Sequence, residues 1–413
     1  MAFPAQRARS VDEHRAVVAA LVPPAPVEQV PLTSARGRVL GADLVAPIDL
    51  PSFDNSAMDG YAVRAADVAG AAPDAPVELP VAADIPAGRT DVPPLEPGTA
   101  HRIMTGAALP AGADTVVQVE HTDGGQQRVR ISAAPAVGTA VRRAGEDVAA
   151  GSVVLSAGTI LGPPQIGLAA AVGSPTVPVR RRPVVLVLST GSELVAPGEP
   201  LLPGQIYESN GPMLAAAVED AGGRAELLRF VPDDVDRFLA TLASRLEDGQ
   251  VDLVLTSGGV SAGAYEVVKD AFTGRGVEFT RVAMQPGGPQ GAGRLALGGG
   301  AEVGVVTLPG NPVSSHVSFE VFVRPALRAA LGHPHPDRPV VRAVLAEPLR
   351  SPQGKRQFRR GVLDAVTGRV REVGTAGSHL IGALARAECL IVLSEEAIDV
   401  PDGAPVEVWL LEA

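Results

Sequence analysis

The 413-residue chain has one cysteine, Cys389, and two lysines, Lys269 and Lys355. One cysteine excludes an intrachain disulfide and a thiolate metal site. Aromatic residues are 3% of the chain against 46% hydrophobic, so the core has to be built from Val, Leu, Ile and Ala. No apolar run approaches the roughly 20 residues that span a bilayer. The first residues, MAFPAQRARSVDEHR, lack the apolar segment of a signal peptide. A cytoplasmic protein is the expectation. The net charge is −11, and no basic cluster is interleaved with aromatics. That argues against nucleic acid as the main partner, because neutralising its phosphates takes clustered cations. Small anions remain open, held by backbone donors or by a metal.

Local patterns divide the chain. Ser10-Val-Asp-Glu13 is a capping-box pattern ahead of HRAVVAALV, so a helix is expected from there to just before Pro23. Residues 32–41 read as a short helix or turn leading into DLVAP. From 51 to 142, short β-type runs alternate with Gly, Pro and Asp turns, the pattern of a β-rich domain. Residues 143–180 add SVVLSAG, TVPVR and a helical PPQIGLAAAV, and Arg180-Arg181-Arg182-Pro183 marks a boundary. From Val184, buried Val/Leu strands alternate with helices as far as PVSSHVSFEVFVRPALRAAL. This predicts a doubly wound, mainly parallel sheet. After HPHPDRP, at 333–339, short β runs return and define an all-β module.

In an open parallel sheet, ligands bind beyond the carboxyl ends of the strands. Three unusual loops fall there: LSTGSEL (188–194), TSGGVSAGAYE (256–266) and TLPGNPVSS (307–315). Glycines admit a close backbone approach, Ser257 and Ser261 offer hydroxyls, and helix starts favour anions. Asn311 and Pro312 suit the N-cap and first position of a helix. One such loop is commonly only a tight turn; three on one sheet point to a diphosphate or an oxyanion. Glu266, Asp59 and Asp147 are acids that would repel it unless a hard cation such as Mg²⁺ intervened. His101, His333, His335 and His379 have no metal-ligand spacing, and no Walker lysine loop or nucleophile triad is present.

The stretches DLPSFDNSAMDGYAV, HRIMTGAALPAGADTVVQVE, RRAGEDV, VVLVLSTGSELV, DLVLTSGGVSAG and LPGNPVSS occur in this order. Together they resemble the MoeA / gephyrin E-domain family, the molybdenum insertases of molybdenum-cofactor biosynthesis, from about Val11 to the C-terminus. The sheet module alone is less specific, since CinA proteins and molybdopterin adenylyltransferases also carry it. The resemblance implies an α/β multidomain fold. A MoaB/MogA-like doubly wound, mainly parallel sheet domain (181–332) joins β-rich N-terminal domains and a C-terminal β-barrel-like domain (338–413). Of the N-terminal domains, one is discontinuous (10–50 with 143–180, linking and dimerising) and the other is inserted (51–142). It further implies a homodimer whose active site lies between the sheet domain of one subunit and the N-terminal domains of the other. The implied reaction is Mg²⁺-dependent: adenylylated molybdopterin and molybdate give molybdenum cofactor and AMP. Adenylyltransferases and molybdoenzymes are implied partners.

Carried over by motif, Asp59, Glu266 and Asp147 are the implied catalytic acids, with Asp59 and Glu266 placing the metal. The implied substrate-binding set starts with Thr105, Gly106, Thr190 and Glu193. The anion loop adds Ser257, Gly258, Gly259 and Ser261, and the third loop adds Pro309, Asn311 and Ser314. Pro289, Arg294 and Arg360 complete it. Two departures stand out. The family pattern K-P-G-K-P is QPGGP here, with Gln285 and Gly288 where lysines stand, and Ile381 and Gly382 follow GSHL in place of a serine pair. Drift toward arginine would have kept the charge. Arg294 is expected to compensate in part. Two further readings stay open: a molybdopterin-binding carrier or scaffold with weak or no insertase activity, and adenylylation of molybdopterin by the sheet domain. The extra domains speak against the second.

Overall fold

The structure is a computed structural model that describes residues 8–229, 234–247, 249–258, 267–296 and 302–411. Ser10 opens the first helix, Val11–Leu21, with the capping box the sequence predicts. The Glu13 amide donates to Ser10 Oγ at 3.1 Å, and the Ser10 amide donates to the Glu13 carboxylate at 2.7 Å. Such a cap contributes about 1 kcal/mol. The helix buries Val11, His14, Val18 and Leu21 against the core of the sheet module, although it is separated from that module by the N-terminal β segments. His14 meets Phe322 edge-on at 4.7 Å, and burial pushes its imidazole down to about 3, so it packs as a neutral ring.

The β-type runs of the N-terminal half become strands. Val27–Pro31 pairs antiparallel with Thr176–Arg180. A separate five-stranded sheet runs in the order Thr115–Gln118, Gly60–Val63, Ala100–Ile103, Val77–Ile85, Arg128–Ile131. Tyr61, Val63, Val117 and Val129 fill one of its faces.

Among the described residues, six strands form the central sheet. Their order is Arg224–Arg229, Val184–Ser189, Leu253–Ser257, Glu302–Leu308, Pro289–Ala296, Val277–Arg281. The first four are parallel, and Pro289–Ala296 runs antiparallel to both neighbours. Helix Asn210–Asp220 and the long helix at 312–330 cover one face, while Val235–Leu246 and Val267–Phe272 cover the other. The parallel strands are therefore buried on both sides, which explains their unbroken Val/Leu runs. The long helix is continuous but contains a π-helical turn, Phe319–Val323, between α-helical Pro312–Ser318 and Arg324–Ala330.

The strand Pro289–Ala296 was not foreseen, because GGPQGAG reads as a turn. Its glycines answer to packing instead. A Cβ on Gly291 would lie 2.2 Å from Thr307 Oγ1, and one on Gly293 would lie 2.0 Å from the Gly276 carbonyl oxygen.

The C-terminal module closes on itself. Val340–Leu345, Arg356–Asp364, Arg369–Glu372, Cys389–Leu393 and Pro405–Leu410 form a five-stranded barrel, with Arg356–Asp364 also paired to Cys389–Leu393. Met284–Gln285 of the sheet module adds to it in parallel beside Arg356–Gln357. Phe358 and Leu390 extend the sheet module's core into the barrel. Cys389 is fully buried inside, and its thiol is pushed up to about 12 by that burial. Among the described residues, no helix is long and apolar enough to cross a membrane.

Candidate functional site

The described parts of the three loops, with the second represented by Thr256 to Gly258, meet at the carboxyl ends of the parallel strands. Val184–Ser189 and Leu253–Ser257 end side by side, with Ser189 opposite Ser257 and Ser257 opposite Leu308. The Gly258 amide continues the ladder to the Leu308 carbonyl at 3.0 Å, and Gly258 then turns with φ +94°. A Cβ there would lie 3.0 Å from the Thr190 carbonyl oxygen, so glycine is required both by conformation and by the first loop's approach. A Cβ on Gly310 would lie 3.5 Å from Gly258 Cα, which places the third loop against the second.

One side chain ties them. Asn210 Nδ2 donates to Ser257 Oγ at 2.7 Å and to the Gly310 carbonyl at 2.7 Å. Ser315 Oγ also donates to Ser257 Oγ, at 3.4 Å. Ser257 Oγ thus accepts twice, which leaves its own proton to be donated to a ligand. Ser314 is buried beside it in the first turn of the helix. That helix start is not wholly open. The Val313 amide donates to the Ser378 carbonyl of the barrel's GSH loop at 3.1 Å, so one donor is already satisfied.

The sequence reading missed Glu208 and Asn210, in YESNG. Glu208 is 5% exposed, and one of its carboxylate oxygens accepts from the Gly211 amide at 2.5 Å. Among the described residues, its other oxygen, Ser189 Oγ and Asn210 Oδ1 are buried without a hydrogen-bond partner. A Cβ on Gly211 would lie 3.0 Å from both that Glu208 oxygen and Ser189 Oγ, so the two atoms converge on one spot. Buried polar atoms are rarely left this way, and each lone one costs roughly 1–3 kcal/mol. An acid and an asparagine at a helix start were the available signal, and they read as ordinary helix-start residues.

The remaining residues fall elsewhere. Glu193 is exposed on the first loop, against Gly191. Pro309 and Asn311 flank Gly310, and Asn311 caps the helix with its backbone alone. Pro289 starts its strand on the crevice side. Arg294 lies opposite Gly304, four residues below Leu308, and donates to the Ala20 carbonyl at 2.8 Å. That is about 13 Å down the strand, so the compensating cation expected there does not reach the loops. Arg360 is 2% exposed and donates to the carbonyls of Val373, Thr375 and Gly377. It holds the segment ahead of the GSH loop. Gln285 Oε1 accepts from buried Gln357 Nε2 at 3.0 Å. Gly259, Ser261 and Glu266 lie outside the described residues.

A second cluster forms in the N-terminal half. The Thr105 amide and hydroxyl both donate to Asp59 Oδ1 at 2.7 Å. They hold this exposed carboxyl below the usual carboxylate range, the amide contributing most. Gly106 donates to the Ser56 carbonyl at 2.8 Å. Asp147, also exposed, sits in a turn pinned by Asp54, which accepts from the Ala144 amide at 2.8 Å and from Arg143 at 2.5 Å. DNSAMDG, RIMTGA and RRAGEDV therefore converge. Among the described residues, no hydrogen bond or ion pair joins this cluster to the crevice within the chain.

Two predictions arise here. A Cβ on Gly60 would lie 1.9 Å from the Val117 carbonyl oxygen, so Gly60→Ala is expected to destabilise the N-terminal sheet by about 2–3 kcal/mol in chemical denaturation. Thr105→Val removes one of the two bonds to Asp59, and the Asp59 carboxyl is expected to titrate at higher pH when followed by NMR. The sign follows from linkage. A depressed carboxyl favours the folded form above its unfolded pKa and loses that contribution as pH falls through the folded value, so the variant loses it at a higher pH than the wild type.

The fold and site define a multidomain α/β protein with glycine-bearing loops tied together at the carboxyl ends of its parallel strands. Comparison with known proteins carries this to a family. Residues 9–173 match the MoeA N-terminal region (domain I and II), 186–329 a probable molybdopterin binding domain, and 342–411 the MoeA C-terminal region (domain IV). Molybdopterin molybdenumtransferase 2 of Mycobacterium tuberculosis is 55% identical over 97% of this chain and 99% of its own. Molybdopterin molybdenumtransferase of Synechococcus elongatus is 37% identical over 93% of this chain and 94% of its own. The crystal structure of the molybdopterin biosynthesis MoeA protein of Pyrococcus horikoshii superposes with a TM-score of 0.84 at 31% identity, covering 98% of this chain and 100% of that one. The chain belongs to the MoeA family of molybdopterin molybdenumtransferases, and so to the transferases of molybdenum-cofactor biosynthesis.

Proposed function

We propose that this chain inserts molybdenum: it binds adenylylated molybdopterin in the strand-end crevice, accepts molybdate, and releases molybdenum cofactor and AMP. The observation that carries this is the tie that Asn210 makes between Ser257 and Gly310, beside a buried Glu208 oxygen that has no hydrogen-bond partner among the described residues. The Ser257 and Ser314 hydroxyls would hold phosphate oxygens, with Thr190, Glu193, Pro309 and Asn311 around them. The donor set also fits Mg²⁺, which takes oxygen ligands, few of them from the protein. Glu208, Ser189 and Asn210 supply buried oxygens. The ion would neutralise phosphate charge beside this acid. The protein's own part is placement: the tied loops fix the anhydride and keep water out.

Asp59, with Thr105 and Asp147, is proposed to act across a homodimer. Supporting this, no hydrogen bond or ion pair among the described residues links that cluster to the crevice within one chain, and Phe53 and Met58 beside it are 49% and 43% exposed. The domain division proposed is 10–50 with 143–180, 51–142, 181–332 and 338–413, the first helix being packed on the third unit. Adenylyltransferases and molybdoenzymes are the proposed partners, in the cytoplasm.

The test supplies purified protein with adenylylated molybdopterin, molybdate and Mg²⁺. AMP is measured, and cofactor is measured by reconstituting an apo-molybdoenzyme. Nucleotide binding with no molybdate-dependent AMP release would instead establish the carrier reading. Gln285 favours that second reading, since its amide is neutral and engaged with Gln357. Gln285→Lys would strand the buried Gln357 amide, whereas a side chain at Gly288 meets only ordinary contacts at 3.6 Å and beyond. Gly288→Lys is therefore the cleaner restoration, and it is expected to lower the molybdate concentration for half-maximal rate about threefold to tenfold. An unchanged value would mean that another group already balances the charge.

A further inference from the structure

A second basic feature lies at the other end of the sheet, where the chain enters the strands. An open cleft of about 520 Å³ is lined there by Glu28, Arg38, Arg181, Arg182, Arg224 and Gln250 among others. Arg224 begins one strand and Arg182 lies two residues ahead of another, so the cleft faces away from the crevice. Glu28 and Arg38 come from the N-terminal half and the others from the sheet module.

The charges are unevenly committed. Arg38 meets Glu28 at 2.6 Å, and Arg181 meets Asp252 at 2.7 Å. Arg182 approaches Glu219 only to 3.7 Å, beyond hydrogen-bond length, with both side chains 47% exposed. Arg224 touches Glu226 at 3.3 Å, but Glu226 is held more closely by Arg245 at 2.8 Å. Each of the four guanidinium groups thus has a carboxylate within 4.0 Å, but Arg182 and Arg224 hold theirs loosely and keep donor capacity toward the cleft. A cavity of this volume suits a small ligand. Guanidinium groups arriving from separate segments suit an anion with several oxygens, since each presents a planar fork to phosphate.

We propose that this cleft is a second anion site, separate from the crevice, that takes a diphosphate-bearing small molecule and bridges the N-terminal half to the sheet module. Arg182 and Arg224 are the principal donors, with Arg38 and Arg181 oriented by their acids. Both principal residues are exposed, and Glu226 keeps Arg245 when Arg224 is removed, so the double variant is expected to fold.

The experiment is isothermal titration of the full-length protein at fixed ionic strength without magnesium. The probes are inorganic pyrophosphate, ADP, adenosine and hexaglutamate. The proteins are wild type, Arg182→Ala/Arg224→Ala, and Asn210→Ala as the crevice control, each checked by thermal melting. The expected result is saturable binding of pyrophosphate and ADP, silent adenosine, at least tenfold weakening in the arginine pair, and little change in Asn210→Ala. Stronger ADP than pyrophosphate would identify a nucleotide as the source of the diphosphate, and equal affinity would identify the free anion. Four outcomes would overturn the proposal: no saturable heat; equal heat in all three proteins; loss in Asn210→Ala alone, which would put the anion in the crevice; or binding of hexaglutamate with pyrophosphate silent.

Discussion

Glu208→Gln is expected to lower the molybdate-dependent rate by about 10²–10³-fold, the size seen when one electrostatic element of a site is removed, while leaving the melting curve close to that of the wild type. The substitution keeps the shape and can keep the bond to the Gly211 amide, because the amide oxygen still accepts. It removes the negative charge at the oxygen that has no partner. If that oxygen serves a magnesium ion, nucleotide affinity in the variant should become nearly independent of magnesium. A purely structural Glu208 would give the opposite pattern: a lower melting temperature and an unchanged magnesium dependence. Titrating AMP with and without magnesium, alongside the rate assay, separates the two.

Glu320→Ala is expected to destabilise the sheet module by about 3–5 kcal/mol, the cost of removing one partner from a buried ion pair. Glu320 lies in the π-helical turn with a side chain 2% exposed. Its oxygens accept from Arg338 at 2.8 and 3.1 Å, with Arg324 at 3.8 Å. Arg338 also reaches Asp220 at 3.2 Å and the Leu411 carbonyl. This cluster joins the long helix, helix Asn210–Asp220, the Pro-rich linker and the last strand, so it fixes the barrel on the sheet module. Without Glu320, two buried guanidinium groups lose their shared counter-charge. Glu320→Leu with Arg338→Met should recover part of the loss, since an apolar pair of similar size avoids the stranded charge. Urea denaturation of the three proteins checks this, and a cost below about 1 kcal/mol for Glu320→Ala would show that solvent reaches the cluster.

Much of the fold could be read from the sequence where one force dominates. VVLVL and the LVL of Leu253 to Leu255 are unbroken apolar runs because helices cover both faces of the strands, and Ser10 and Glu13 announce a helix through a local bond pair. It was not legible where tertiary contact overrides local preference. Gly291 and Gly293 look like turn residues and are strand residues, because Thr307 and the Gly276 carbonyl leave no room for side chains. The first helix declares itself a helix but not its destination, which is the core around Phe322. At the site, the glycine loops were visible as motifs. Asn210 and Glu208 were not, because a helix start usually explains such residues. Only the placement of Ser257, Gly310 and Ser189 around them shows that they link two loops and present an oxygen without a partner among the described residues. The sequence does not show that the guanidinium groups of Arg294 and Arg360 are engaged with backbone carbonyls.

A crystal structure of the full-length protein with AMP and magnesium tests the central claim most directly. The account predicts the phosphate at the carboxyl ends of the parallel strands, within hydrogen-bond reach of Ser257 or Ser314, and the metal on the Glu208 side. A nucleotide bound anywhere else, with no contact to Ser257 or Ser314 and no metal near Glu208, would contradict it.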